Sequence, residues 1–454
     1  MSAATDKLLY LAGSASNNKY LGSIRDAFTD YMPFTIVGAV GTLWTYVIMD
    51  STSGLASLVP AISALSFLNP LFNALNFATI GCITLGITFA IGAQMGKRNG
   101  QNSIYTGLIA LAALIAVTAS TIDPATAYLL GADGSVGMLD AGLPEGATAI
   151  IQGLAAGNLG TNGMFTGMIV GIVSVELLNW LSKFEGLKIK LPDAVPPNIA
   201  ASFNALIPST LTMIIVGGIA FALQQMTGLY LNDLIFNLIQ APLTNVGGSF
   251  VGGLVFVLLT SLLWCFGLHG NNMIAPVATP LLTALMLDNE AAVQAGTTPT
   301  NIVNASYWAC FITICGTGIA LAITLAIFIA AKREDNRAIA KLSLFPNLFN
   351  INETVVFGVP VVLNLPMCVG FILAPMASYI ISYVLTAIGF CPVMYINVPW
   401  TTPIILSGFL ASGGNIMGAV TQLICLAAAV LVYIPCVKMH EANQNRSDEP
   451  ADAE

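Results

Sequence analysis

Residues 266–280 read F-G-L-H-G-N-N-M-I-A-P-V-A-T-P. The stretch is too apolar for a water-exposed loop, yet its Gly, Pro and Asn residues and one ionisable side chain make it a poor helix. Non-helical backbone at membrane depth is tolerated only where protein buries it or a watery cavity lies beside it. Whether the apolar segment 273–287, interrupted by Pro276 and Pro280, crosses a bilayer decides the architecture. The positive charges of the chain settle that expectation.

A membrane helix needs about 20 mostly apolar residues. Candidate spans are 32–49, 71–95, 103–120, 163–182, 204–226, 249–268, 305–331, 368–390 and 402–436, with 273–287 ambiguous. The 14 Lys and Arg residues fall in five groups between them. Lys7, Lys19 and Arg25 precede the first span, and Lys97 and Arg98 follow the second. Lys183, Lys188 and Lys190 follow 163–182, Lys332, Arg333, Arg337 and Lys341 follow 305–331, and Lys438 and Arg446 follow the last. The positive-inside rule puts all five groups in the cytoplasm. Segment 121–148, with Asp123, Asp133, Asp140 and Glu145, and segment 288–304, with Asp288 and Glu290, carry no cation and fit the opposite side. Two groups on one side must be separated by an even number of crossings. Between Lys190 and Lys332 only three clear spans occur, so 273–287 must cross too. The expected fold is therefore an all-α polytopic membrane protein with about ten transmembrane helices and both termini cytoplasmic.

Composition agrees. Of 454 residues 56% are hydrophobic and 8% charged, against about 25% charged in soluble domains, which excludes a soluble globular enzyme. The apolar runs are continuous, unlike the alternating strands of a membrane barrel. A net charge of −8 excludes a nucleic-acid partner, which needs clustered basic surface. The eight cysteines, mostly inside apolar runs and never spaced C-x-x-C, read as small core residues. No metal or cofactor is expected. The polar first thirty residues lack the apolar region of a cleavable signal peptide.

Leu344–Pro366, L-F-P-N-L-F-N-I-N-E-T-V-V-F-G-V-P-V-V-L-N-L-P, and Asn397–Gly414, N-V-P-W-T-T-P-I-I-L-S-G-F-L-A-S-G-G, are broken in the same way as 266–280. Broken helices are the best sequence pointer to a transporter binding site. An ionisable group at bilayer depth costs at least about 2.5–3.5 kcal/mol on insertion scales, which suggests a functional return. Glu353 is such a group, with a structural alternative as the cap of a half-helix. His269 is another, with the alternative of a neutral imidazole bridging two helices. Glu176, near a cytoplasmic span end, reads better as a snorkelling or Lys183-paired carboxylate. A sugar needs planar hydrogen-bonding groups and an aromatic face; Asn271, Asn272, Asn350, Asn352 and Trp400 supply that inventory. Trp400 reads equally well as an interfacial belt residue, and Trp44, Trp180 and Trp308 read better so.

Several stretches resemble one known family. Residues 349–364, F-N-I-N-E-T-V-V-F-G-V-P-V-V-L-N, resemble a motif of the membrane component, enzyme IIC, of sugar phosphotransferase systems of the lactose/cellobiose/diacetylchitobiose branch. So do W-C-F-G-L-H-G (264–270), V-P-W-T-T-P (398–403) with G-F-L-A-S-G-G (408–414), V-P-P-N-I-A-A-S-F-N-A-L-I-P (195–208) and N-K-Y-L-G-S-I-R-D-A-F (18–28). Thr354 stands where the family usually has Pro, Leu365-Pro366 departs from its pattern, and Cys315-Gly316-Thr317-Gly318 is a loose version of its Gly-Ser-Gly stretch. The resemblance implies two re-entrant hairpins and a homodimer. It implies a cytoplasmic arm (1–31), an N-terminal half (32–226) at the dimer interface, a C-terminal sugar-binding half (227–437) and an acidic tail (438–454). It implies a permease subunit of a protein-phosphocysteine–sugar phosphotransferase in the bacterial plasma membrane. A separate cytoplasmic IIB protein, with IIA upstream, would phosphorylate the substrate, a β-linked disaccharide such as cellobiose, diacetylchitobiose or lactose. Residue by residue, His269 and Glu353 would meet the accepting hydroxyl, and Asn350, Asn352, Trp400, Asn271, Asn272, Gly270 and Thr401 would line the sugar site. Loop 332–341 reads either as part of the IIB docking face or as an orientation signal alone.

The residues by themselves also admit a proton-coupled secondary sugar transporter with Glu353 and His269 as the coupling pair, and a sugar sensor without transport.

Overall fold

The computed structural model describes residues 18–51, 54–118, 121–122, 128–130, 136–138, 151–154, 156–189, 191–192 and 195–448. The expectations for Lys7, Lys190, Asp123, Asp133, Asp140, Glu145 and the tail beyond Asp448 lie outside them. The main helices are α1 (Lys19–Leu43), α2 (Ile83–Arg98), α3 (Ser103–Val117), α4 (Met164–Leu181), α5 (Pro197–Thr227), α6 (Phe250–Cys265) and α7 (Gly270–Gln294). They continue as α8 (Ala320–Ala330), α9 (Glu334–Leu348), α10 (Glu353–Gly358), α11 (Leu365–Ala387), α12 (Leu406–Ala411) and α13 (Ile416–Asp448). Apart from them the described residues hold short helical pieces and two antiparallel ladders, pairing Thr121 with Gln152 and Tyr128 with Met138.

Helix starts follow local chemistry. Asn18, Asn102, Ser249, Asn304 and Asn364 each accept a backbone N–H of the following turn through the side chain, satisfying donors that a helix leaves open. Six helices among the described residues are long and apolar enough to span a membrane, and α6 with the bent segment Leu231–Gly247 makes a seventh. Ser103–Val117 and Ala320–Ala330 are shorter apolar helices. Several expected spans are interrupted. Segment 71–95 is divided by a π turn at Phe77–Gly81. Segment 305–331 opens into a loop between Ile312 and Ala320. Segment 402–436 breaks after α12, where Gly413 and Gly414 take left-handed backbone. Conversely, α7 runs unbroken through Pro276 and Pro280. The two prolines are four residues apart, so the missing hydrogen bonds fall on one face of one helix.

The chain forms two compact units, each discontinuous in sequence. One contains 22–32 and 78–242. Here Gly163, Gly167 and Gly171 of the α4 region recur every four residues and face Thr84, Thr88 and Ile91 of α2. A Cβ at Gly167 would lie 2.2 Å from Thr88 Oγ1, and one at Gly92 would lie 2.5 Å from Ala110 Cβ. Small residues let backbones approach where lipid offers no hydrophobic drive. Glu176 accepts Asn99 Nδ2 at 3.2 Å, from the residue that follows the last turn of α2.

Among the described residues the other unit contains 18–21, 33–77 and 243–448. Its core joins α6, α8, α11 and α13 around Tyr307, Phe311, Phe371, Tyr379 and Tyr433. Two sequence readings are corrected here. Trp44 is 8% exposed, stacks on Phe72 at 4.2 Å and donates to Asn69 Oδ1 at 2.8 Å, so it is a packed tryptophan, not a belt residue. Glu290 lies on α7 instead of in a loop, is 2% exposed, and accepts Thr42 Oγ1 at 2.6 Å and Asn76 Nδ2 at 2.9 Å.

The cation-rich segment 332–341 opens α9 and is tied to α13. The Glu441 carboxylate accepts Lys332 N (2.9 Å), Arg333 N (3.0 Å) and Asn336 Nδ2 (3.2 Å). Arg337 donates to Phe328 O and Ala331 O, both at 3.1 Å, at the end of α8, where a cation also meets the negative helix end. His440 Nδ1 and Asn364 Nδ2 lie 2.8 Å apart. Replacing Glu441 by Ala strands three donors and should cost about 2 kcal/mol, read as a lower thermal midpoint in detergent. Asn445→Ala, which removes an exposed 3.2 Å contact to Arg333, should cost less than about 0.5 kcal/mol. Equal midpoints for the two variants would remove Glu441 as a tie.

Candidate functional site

Left-handed backbone in a residue with a Cβ costs about 1–3 kcal/mol and persists only when its surroundings hold it. Among the described residues Cys315, Ile319, Asn350, Leu363 and Ile405 adopt it. All five sit in three breaks of one unit: 313–319, 349–364 and 397–405. The sequence pointed to the second and third as broken segments; the first was visible only as a loose glycine motif within an expected span.

Glu353 is the first residue of the six-residue α10. Val355 and Val356 are fully buried and pin that helix from its apolar side, while the Glu353 side chain stays exposed. Asn352, buried, donates through Nδ2 to Thr317 O at 3.1 Å. Asn350 Nδ2 donates to Trp400 O. The Trp400 ring itself is 53% exposed, and Thr401 beside it is exposed as well. The chain after them is held by Gln422, whose Oε1 accepts Ile405 N and Gly408 N, both at 2.9 Å.

His269 is the N-cap of α7, with Nδ1 accepting Asn272 N at 3.3 Å. An accepting Nδ1 places the neutral ring's proton on Nε2. The ring lies against Trp264, centroids 4.7 Å apart. Gly270 is pressed onto α6: a Cβ there would lie 2.0 Å from Thr260 O, so only glycine lets the first turn of α7 sit this close. Asn271 Nδ2 donates to Thr317 Oγ1 at 2.9 Å, while its Oδ1 is buried with no protein partner.

Asn271, two residues after His269, and Asn352, the residue before Glu353, thus meet at Thr317, and Asn350 reaches the Trp400 backbone. Among the described residues, no hydrogen bond joins the side chains of Asn272 and Thr401 to this group. Two residues escaped the sequence reading. Thr317 sits where the motif was loose. Trp264, in the quoted W-C-F-G-L-H-G, is 4% exposed with its Nε1 unpartnered, and an aromatic in an apolar run gives no signal of that. Among the described residues no three His, Cys, Asp or Glu side chains converge as metal ligands. Chemically, these segments offer an exposed carboxylate at Glu353, an imidazole N–H at His269, a buried amide oxygen without a protein partner at Asn271 and an exposed aromatic at Trp400.

The chain as a whole has counterparts among known proteins. The family model described as "Phosphotransferase system, EIIC" matches residues 25–375. The oligo-beta-mannoside-specific EIIC component of Bacillus subtilis is 32% identical over 98% of this chain and 95% of its own length. The cellobiose-specific EIIC component of Geobacillus stearothermophilus is 30% identical over 98% and 95%. Among solved structures, the transporter ChbC, the IIC component from the N,N'-diacetylchitobiose-specific phosphotransferase system, superposes with a TM-score of 0.85 at 28% identity, covering 98% of each chain. Matched over well more than half its length, the chain belongs to the phosphotransferase-system EIIC family of integral membrane permeases.

Proposed function

We propose that the chain binds a β-linked di- or oligosaccharide, carries it across the membrane and holds it while a phosphorylated IIB protein phosphorylates one of its hydroxyls. Family membership favours this over a proton-coupled transporter, which would deliver unmodified sugar. The sugars named for the relatives, an oligo-β-mannoside, cellobiose and N,N'-diacetylchitobiose, support the β-linked class. The observation that carries the reading is the meeting of the His269 turn and the Glu353 helix at one loop, through Asn271 and Asn352 on Thr317.

In this reading the accepting hydroxyl lies between the two side chains. Glu353 takes its proton as the oxygen attacks phosphorus. The new O–P bond forms as the S–P bond of a IIB phosphocysteine breaks, and the thiolate leaves on IIB. His269 Nε2–H donates to a phosphoryl oxygen, since this chemistry is mostly positioning and charge stabilisation. Asn350 and Asn352 orient hydroxyls, the exposed Trp400 ring faces the sugar's C–H surface, and Asn271, held by Thr317, flanks the pocket. Gly270, Asn272 and Thr401 flank the pocket.

The membrane arrangement belongs to the same proposal. Ten crossings with both termini cytoplasmic satisfy the cation groups, and α7, 25 residues long, supplies the crossing that parity requires. The segments 344–366 and 397–414 form two re-entrant hairpins. Residues 32–226 carry a homodimer interface, and 227–437 hold the sugar. The cytoplasmic arm is 1–31 and the tail 438–454. Lys332 and Lys341, exposed on the loop whose two arginines are tied down, are offered to the IIB partner.

Glu353→Gln should abolish sugar phosphorylation by phosphorylated IIB in membrane vesicles while membrane insertion and sugar binding persist; normal turnover would take Glu353 out of the mechanism. Trp400→Ala should weaken sugar binding roughly tenfold, as the loss of one stacked aromatic worth about 1 kcal/mol or more, measured with cellobiose, oligo-β-mannosides and N,N'-diacetylchitobiose. Unchanged affinity for all three would return Trp400 to a structural role. Accumulation of unmodified sugar under a proton gradient without IIB would overturn the whole reading.

A further inference from the structure

We infer that Thr317 is a positioning residue for phosphoryl transfer, locking the His269 turn to the Glu353 helix through two opposite polar groups of one residue. The inference rests on the reading of His269 and Glu353 as the reacting pair. Thr317 is 7% exposed. Its hydroxyl accepts Asn271 Nδ2 at 2.9 Å, two residues after His269. Its carbonyl accepts Asn352 Nδ2 at 3.1 Å, one residue before Glu353.

The loop that carries it is shaped for this contact. Residues 315, 316, 318 and 319 all have left-handed backbone. A Cβ at Gly316 would lie 2.6 Å from Asn352 Cβ, and one at Gly318 would lie 2.1 Å from the Phe371 ring. Tyr433 Oη donates to Gly318 O at 2.6 Å and pins the loop from α13. Ile319, a β-branched residue at φ 57°, is a backbone outlier that only such a clamp maintains. Thr317 is therefore fixed by its neighbours before it fixes Asn271 and Asn352.

Asn271 lies in the first turn of α7, and His269 caps that turn. Releasing the Asn271 amide lets the turn rotate and moves the imidazole relative to Glu353. Neither the sugar-facing side of Trp400 nor the Asn350 contact depends on the Thr317 hydroxyl. The loss should thus fall on turnover and not on binding.

Thr317→Val keeps the shape and removes the hydroxyl. With phosphorylated IIB in vesicles, and whichever of cellobiose, an oligo-β-mannoside or N,N'-diacetylchitobiose the wild type turns over, kcat should fall roughly 10- to 100-fold, the scale of a small misplacement at a reacting centre. The KM for sugar should hold, marking an interaction felt in the transition state, and Thr317→Ser should restore the rate. Thr317→Val added to Asn271→Ala should cost no more than Asn271→Ala alone, because the two act as one unit. If the valine variant does not insert, Thr317→Ala, which cannot crowd the loop, carries the same expectation. A wild-type rate in Thr317→Val, a serine variant as slow as the valine variant, or additive losses with Asn271→Ala would each overturn the inference. Glu353→Gln in the same vesicles separates the two levels. If it turns over normally the reading of the site fails; if it is dead while Thr317→Val is fully active, only the role of Thr317 falls.

Discussion

Backbone that leaves helical geometry inside an apolar bundle must find its hydrogen bonds among side chains, because lipid offers none. In this protein amides and hydroxyls meet that need. Gln422 uses all of its capacity: it accepts Ile405 N and Gly408 N and donates to Cys310 O and Ser407 Oγ. Asn289 accepts Asn301 N and donates to Asn301 O and Met394 O. Asn304 donates to Met394 O, and Ser306 to Ile396 O. Asn347 donates to Ala320 O and Thr324 Oγ1. Each bond is worth only about 1 kcal/mol net, but a buried group left open costs more. The breaks are therefore rigid parts of the fold, and the site inherits its shape from them.

The same constraint explains why polar residues in the apolar sequence divide into two kinds. Gln422, Asn289 and Asn304 have their hydrogen-bonding groups spent on backbone. Asn271 and Trp264 each keep one buried polar atom without a protein partner, and Glu353 and Trp400 present exposed side chains. A polar residue in a membrane segment is thus not by itself a functional residue.

Much of the architecture was legible because it is written in amounts and positions of charge. Few cations, placed in groups, give a membrane protein and an expected inside face. Parity gave the expectation that 273–287 crosses the membrane, against the local evidence of two prolines; α7 is one helix there because both prolines interrupt the same face. The breaks at 77–82 and 312–319 were not legible. Their residues are apolar, and a π turn or a left-handed isoleucine leaves no mark in hydropathy. Glu290 was misread for the complementary reason: a carboxylate beside a cation-free segment looks like loop, and only the distant Thr42 and Asn76 reveal it as buried. At the site, His269, Glu353 and the asparagines stood out as polar groups in apolar surroundings. Thr317 did not, because threonine is ordinary in such helices and its partners lie 46 and 35 residues away.

The tie between Glu441 and the start of α9 spans 109 residues of chain, and the bond from Tyr433 to the Thr317 loop spans 115. Both depend on α13. During synthesis, helices α6 to α11 can insert one after another while the loop amides at 332–333 and the carbonyl of Gly318 still await their partners. The site cannot take its final form in a nascent chain that stops short of α13. An incomplete product would hold Thr317 and its two asparagine partners without the bond from Tyr433 that fixes their loop.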